Sequence, residues 1–246
     1  MTSSMTFVDP EAKLTVDLRL YAIVDPETAG GHALPDLARM VAAGGATLVQ
    51  LRDKIHDTAA MVALARAIKA ALPADVPLLV NDRVDVVQAA GADGVHLGQE
   101  DMSVVKARET LGPGPFIGLS IKTVEQARAA PLGVIDYVGI GGVFATTSKD
   151  QKSAPIGPAG LARIVEVFRE RIGNFPTCGI AGITASNAEQ VIAAGADGVS
   201  VISALSRAAD PAAAARELRA IVDAARAKYA PTPPAVGAAG HAMGNA

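Results

Sequence analysis

The sequence predicts an α/β protein folded as a single (β/α)8 TIM barrel with eight parallel strands. Three observations lead there. Eight short apolar runs, mostly without polar alternation, are separated by segments of helical period, as expected of parallel strands covered on both faces. The length of 246 residues suits one domain of this type. A phrase also recurs: AAGGATLVQLR at 42–52, AAGADGVHLGQ at 89–99 and AAGADGVSVIS at 193–203 each read as a helix end, a glycine turn and an emerging strand. A flexible tail is expected over 1–13, the barrel over 14–229, and a disordered Pro/Gly/Ala-rich tail over 230–246.

In chain order, Leu18 to Asp25 is the first strand, followed by a helix at Ala33 to Ala43. Thr47 to Leu51 and Thr58 to Leu72 form the second strand and helix, Pro77 to Val80 and Val84 to Ala90 the third, Gly94 to Leu97 and Val104 to Leu111 the fourth. Phe116 to Leu119 with Val124 to Ala129, Tyr137 to Ile140 with Leu161 to Arg171, Thr177 to Ile180 with Ala185 to Ala194, and Gly198 to Ile202 with Ala212 to Lys228 complete eight units. The glycines of the recurring phrase fall in turns from helix to strand, on the face away from chemistry.

Half of the residues are hydrophobic, yet every apolar run is far shorter than the roughly 20 residues of a membrane helix. The opening MTSSMTFVDPEAK lacks the features of a secretory signal, so a soluble, cytoplasmic protein is expected. Cys178, the single cysteine, lies in an apolar run and reads as a buried structural thiol. A net charge of -3, interspersed charges and few aromatics exclude nucleic acid as the main partner and leave room for a small anionic ligand.

The chemistry of such a barrel sits at the carboxyl ends of its strands. Strand two ends in Gln50-Leu51-Arg52-Asp53-Lys54, three in Asn81-Asp82, four in Gln99-Glu100-Asp101 and five in Ser120-Ile121-Lys122. Asp82 and Asp101 leave neighbouring strands on the same side and are placed to share a hard cation such as Mg2+, while the competing reading makes each an N-cap of its next helix. Arg52, Lys54 and Lys149 around them suit a metal-bound pyrophosphate. Gly182 after strand seven and Ile202-Ser203 after strand eight suit a single phosphate held through backbone N–H groups. Two phosphate sites suggest two phosphorylated ligands. None of His32, His56, His96 or His241 is expected as a general base at a strand end.

In order and spacing these residues resemble the thiamine phosphate synthases, which join a hydroxymethylpyrimidine diphosphate to a thiazole phosphate. The resemblance implies that Gln50, Leu51, Arg52, Asp53, Lys54 and Asn81 bind the pyrimidine diphosphate, with Ser120 and Lys149 also facing it. It implies Asp82 and Asp101 as Mg2+ ligands, and Thr146, Thr147, Ser148, Gly182, Ile202 and Ser203 as the thiazole phosphate site. Arg52, Lys54, Ser120 and Lys149 take the catalytic roles, with no strong base needed because the thiazole nitrogen carries its own lone pair. The implied partners are small-molecule substrates, with a homo-oligomer left open. The chain departs from the family pattern G-P-V-F-P-T-x-T-K at Gly142, Ala145 and Ser148, and has Ala181 where a glycine is usual. Losing the two prolines is expected to loosen the loop after strand six. Two other readings stay open: a related phosphate-binding barrel enzyme such as a thiazole tautomerase, and a non-catalytic ligand-binding barrel.

Overall fold

The computed structural model describes residues 16–146 and 154–230. The expected N-terminal tail and residues 231–246 lie outside the described residues. Strands β1 (Leu20–Val24), β2 (Leu48–Leu51), β3 (Leu78–Asn81), β4 (Gly94–Leu97), β5 (Phe116–Ile121), β6 (Tyr137–Ile140), β7 (Thr177–Ile180) and β8 (Gly198–Val201) alternate with helices. These are α1 (Leu34–Ala43), α2 (Thr58–Ala71), α3 (Val84–Ala90), α4 (Val104–Leu111), α5 (Val124–Ala129), α6 (Gly157–Ile172), α7 (Ala188–Ala193), α8 (Ser203–Ser206) and α9 (Pro211–Tyr229). The strands pair in parallel in chain order, and β1 closes on β8.

Local chemistry sets several boundaries. The Asp57 side chain accepts from the Ala60 N–H at the start of α2, and Asp210 accepts from Ala212 and Ala213 at the start of α9. Helix α6 begins at Gly157, earlier than the expected Leu161, because Pro158 fits a helical first turn. Helix α7 begins later than the expected Ala185, since the Asn187 side chain accepts from the Thr184 N–H and holds the segment as a turn. The four-residue α8 has no periodicity that could announce it.

Alternate strand residues face opposite layers. Leu20, Ala22, Val24, Val49 and Leu51 pack with the helices, whereas Tyr21, Ile23, Leu48, Leu79, Tyr137 and Cys178 fill the barrel interior. Cys178 is fully buried, and burial pushes its thiol far above the usual range, in keeping with a structural role. The turn glycines Gly45, Gly91 and Gly195 of the recurring phrase all have positive φ (105°, 66° and 98°).

A side chain just before each even-numbered strand clips the strand preceding it. Thr47 Oγ1 accepts from the Leu20 N–H (3.1 Å), and carboxylates of Asp93, Asp136 and Asp197 accept from the N–H groups of Leu78, Ile117 and Thr177 (2.9, 2.8 and 2.9 Å). The backbone N–H groups of the four clipping residues return hydrogen bonds to the carbonyls of the same four partners. A slip of one residue would turn every inward side chain outward, so these clips at the amino ends hold the register that presents the site at the other end.

Candidate active site

A cavity of about 400 Å³ opens at the carboxyl ends of the strands. Gln50, Arg52, Asn81, His96 and Ser120 from β2 to β5 line one half, and Thr146, Ala181, Gly182, Ile202 and Ser203 line the other. Register explains the convergence. Asn81 pairs with His96, His96 with Gly118, and Ser120 with Gly139, so polar inward positions of adjacent strands stand at similar height.

The first half is built from charged side chains in fixed pairs. Arg52 donates to the carboxylate of Asp25, which is fully buried just beyond β1 and also accepts from the Glu27 N–H (2.8 Å). A buried acid beneath it holds the guanidinium in one orientation at the cavity wall. Lys54, two residues beyond Arg52, has its ammonium on the carboxylate of Asp82, the residue after the cavity-lining Asn81. Asp82 has a left-handed backbone (φ 62°), which aspartate tolerates better than most residues, and its N–H donates to the His96 carbonyl (2.9 Å). Burial raises the Asp82 carboxyl above its usual range and the adjacent Asp101 carboxylate adds to this, against the opposing pull of Lys54.

Neither acid caps a helix. The N-cap of α3 is Arg83, without a side-chain cap, and that of α4 is Ser103, whose hydroxyl accepts from the Lys106 N–H. Asp101 instead accepts from the Gly98 N–H (2.7 Å), which turns it back toward Asp82. No group of three or more His, Cys, Asp or Glu residues suited to a metal occurs among the described residues. Two adjoining carboxylates with an ammonium resting on one of them nevertheless fit Mg2+, which commonly takes one or two carboxylates and completes its shell with water and substrate phosphates.

Two residues of the strand-two run are placed differently from the expectation that they bind substrate. The Leu51 side chain is fully buried against the helices, so only its backbone faces the site side. The Asp53 carboxylate is turned into its own loop, where it accepts from the N–H groups of Ile55 and His56 (3.0 and 3.1 Å) and meets His56 Nδ1 at 2.7 Å. Burial works to raise its pKa, but these hydrogen bonds outweigh it and hold the carboxyl below the usual range. Its role is to shape the loop that carries Lys54.

The second half is built mainly from backbone. Ala181 and Gly182 are consecutive positive-φ residues (85° and 66°), and Ala181 adopts this geometry despite its Cβ. A Cβ on Gly182 would overlap the Ala145 carbonyl oxygen and lie 2.7 Å from Phe144 Cβ. The segment after β6 is tied to the end of β7 by N–H donation from Val143 to Ile180 O (3.0 Å) and from Phe144 to Ala181 O (3.1 Å). Ile156 N–H donates to Gly142 O (2.8 Å), tying it to α6 as well. The described start of this loop is therefore anchored on β7 and α6. Gly142 has φ 77°, a backbone state closed to proline, so the chain takes a different path there. Thr146 lines the cavity, and Ile202-Ser203 lead into α8 beside it. Thr147, Ser148 and Lys149 lie outside the described residues.

Sequence reasoning passed over Asp25, His96, Tyr21 and Tyr137. His96 lies within β4 yet lines the cavity, with Nδ1 2.8 Å from Tyr137 Oη and Nε2 2.9 Å from Ser120 Oγ. Tyr137 Oη is 2.9 Å from Tyr21 Oη, which accepts from Gln50 Nε2. Gly118 makes room for this chain, since a Cβ there would overlap the Tyr137 ring. The available signal was parity: His96 is on the inward set of β4, as Ser120 is on that of β5.

Fold and cavity together define a protein of the (β/α)8-barrel class with its cavity at the carboxyl ends of the strands, where barrel enzymes carry their active sites. The family model described as thiamine monophosphate synthase matches residues 20–205, and the chain belongs to that family of transferases in thiamine biosynthesis. It is 46% identical over 210 residues to a thiamine-phosphate synthase of Moorella thermoacetica, covering 85% of this chain and 98% of that one. It is also 46% identical over 211 residues to a thiamine-phosphate synthase of Agrobacterium fabrum, covering 85% and 96%. Among solved structures, a thiamine phosphate pyrophosphorylase from Pyrococcus furiosus superposes with a TM-score of 0.75 at 36% identity, covering 85% of this chain and 98% of that chain. Tryptophan synthase from Mycobacterium tuberculosis, at 18% identity and a TM-score of 0.59, shares the fold alone.

Proposed function

We propose that this chain condenses 4-amino-2-methyl-5-hydroxymethylpyrimidine diphosphate with thiazole phosphate, giving thiamine phosphate and pyrophosphate, with Mg2+ as cofactor. The observation that carries this reading is the meeting of Asp82, Asp101 and Lys54 just beyond the strand ends that bring Gln50, Arg52 and Asn81 to the cavity. Asp82 and Asp101 would hold the metal, which supplies positive charge to the diphosphate. Arg52, kept in place by Asp25, and Lys54, which can exchange Asp82 for a phosphate oxygen, stabilise charge that grows on the leaving group. Lys149 joins them in this proposal on its position in the sequence pattern.

The bond that forms joins the thiazole nitrogen to the pyrimidine CH2 carbon; the bond that breaks is from that carbon to the diphosphate oxygen. The nitrogen attacks with its lone pair, so no proton has to be removed. His96, bonded through both ring nitrogens to Tyr137 and Ser120, is accordingly a structural partner rather than a base. The amino group of the pyrimidine feeds electron density to the departing carbon, which suits a dissociative path. The β6 to β8 half receives the thiazole phosphate, with Thr146, Gly182 and Ser203 at its wall and Thr147 and Ser148 following in the sequence. No helix of the described residues is long and apolar enough to cross a membrane; a cytoplasmic location belongs to the proposal, as does assembly with further copies.

Pyrophosphate release by the purified protein tests the reading. Release that needs both substrates and Mg2+ supports it. Tight binding of either substrate without turnover, or turnover of thiazole phosphate alone, overturns it.

A further inference from the structure

Four hydrogen bonds join Gln50 to Ser120 through the barrel interior: Gln50 Nε2 to Tyr21 Oη, Tyr21 Oη to Tyr137 Oη, Tyr137 Oη to His96 Nδ1, and His96 Nε2 to Ser120 Oγ. Both end residues line the cavity, and the two tyrosines are completely buried. Burial keeps both phenols protonated, with pKa values well above their usual range. Each hydroxyl therefore brings one proton that has to find an acceptor, and an unmade bond at that depth is costly.

With the Gln50 amide nitrogen on Tyr21, this requirement sets the direction of the whole chain. Gln50 donates its amide N–H to Tyr21, so Tyr21 passes its own proton to Tyr137. Tyr137 then donates to His96 Nδ1, which leaves the imidazole hydrogen on Nε2, pointing at Ser120 Oγ. Ser120 then accepts a hydrogen bond, which leaves its own O–H to donate on the cavity side. At the far end, the Gln50 amide donates one N–H to Tyr21, and its carbonyl oxygen is the acceptor it offers to a ligand. The opposite direction would require the Gln50 carbonyl on Tyr21, the imidazole hydrogen on Nδ1, and Ser120 as an acceptor.

We propose that Tyr21, Tyr137 and His96 are positioning residues that set opposite hydrogen-bonding polarity at the two ends of the chain, Ser120 as donor and Gln50 as acceptor, and so read the amino-and-ring-nitrogen edge of an aminopyrimidine. The ligand part of this proposal rests on the function proposed above; the polarity of the chain does not. An aminopyrimidine presents an N–H donor at its exocyclic nitrogen and an acceptor at the adjacent ring nitrogen, the complement of Gln50 Oε1 and Ser120 O–H. Parity along β1, β4 and β6 points the three positioning residues into the barrel; the two tyrosines do not line the cavity, while His96, which does, acts through Ser120.

The test joins a spectroscopic and a kinetic measurement. In uniformly 15N-histidine-labelled protein without substrates, the His96 resonances, assigned by their loss in His96→Gln, should show a neutral ring protonated on Nε2, with Nδ1 shifted as a hydrogen-bonded acceptor. Tyr137→Phe removes one oxygen without changing ring packing. It should erase the Nδ1 hydrogen-bond shift and raise the KM for the pyrimidine diphosphate roughly three- to tenfold, the loss of one neutral hydrogen bond, with the KM for the thiazole phosphate unchanged. Tyr21→Phe should keep the Nε2–H tautomer and still raise the KM for the pyrimidine diphosphate through the freed Gln50. A wild-type ring protonated on Nδ1 overturns the polarity. So does a Tyr137→Phe protein, folded by its melting temperature, that retains both the His96 shifts and the pyrimidine KM. If instead the tautomer is found as stated but neither substrate supports pyrophosphate release, the proposed function fails and the aminopyrimidine assignment with it, while the chain's direction stands.

Discussion

The two halves of the cavity are built by different means. From β2 to β5, the wall rests on long polar side chains locked in pairs: Arg52 on Asp25, Lys54 on Asp82, and Gln50 and Ser120 at the ends of a buried chain. From β6 to β8 it rests on the path of the backbone, with Gly142, Ala181 and Gly182 all at positive φ and the loop after β6 tied to β7 by main-chain hydrogen bonds. The contrast suits the two ligands proposed. A diphosphate with a metal carries concentrated charge that side-chain cations can answer, and a single phosphate can be cradled by N–H groups alone.

The largest expected effect tests the side-chain half. Asp82→Asn and Asp101→Asn should each lower turnover by more than about 100-fold, because loss of a direct ligand exceeds the cost of losing its outer partners. Neither acid caps a helix, so the melting temperature should hold in both. Added Mg2+ should raise the melting temperature of the parent chain and do so less in either variant. Parent-like turnover in both would remove the shared metal from this half.

Next comes Asp25→Asn. Removing one partner of a buried ion pair is expected to cost about 3 kcal/mol of stability, and turnover should fall because Arg52 is no longer held. Denaturant unfolding beside steady-state kinetics measures both. An unchanged KM for the pyrimidine diphosphate with full turnover would mean that Arg52 does not need its buried partner.

For the backbone half, Gly182→Val should raise the KM for the thiazole phosphate well above the change seen for the pyrimidine diphosphate. It should also lower the melting temperature, since its Cβ meets Ala145 and Phe144. A stability loss with both KM values intact would make Gly182 a packing glycine only. The smallest effect is expected at Ala181, where the left-handed geometry costs an L-residue about 1–2 kcal/mol and glycine returns part of that as chain entropy. Ala181→Gly should therefore stabilise the protein by about 0.5–1 kcal/mol, read as a higher denaturation midpoint, with turnover little changed. A destabilised variant would show that Ala181 packs well enough at φ 85° to outweigh its strain.

The sequence by itself determined the barrel and most of the side-chain half of its site. Apolar runs, helical periods and turn glycines are local properties, and Arg52, Lys54, Asp82 and Asp101 stand out because charges at strand ends interrupt those runs. The direction in which each side chain faces was decided by tertiary structure: Leu51 and Asp53 sit among the strand-two polar run yet turn away from the cavity, one into the helix layer and one into its own loop. Pairing across the barrel was equally out of reach. Tyr21 and Tyr137 are 116 residues apart, and a hydroxyl in an apolar strand gives no sign of its partner until β1 has closed on β8. The same holds for the backbone half. A left-handed alanine at 181 and a glycine at 142 on a path closed to proline are set by the hydrogen bonds that tie β6 to β7, and composition carries no record of those.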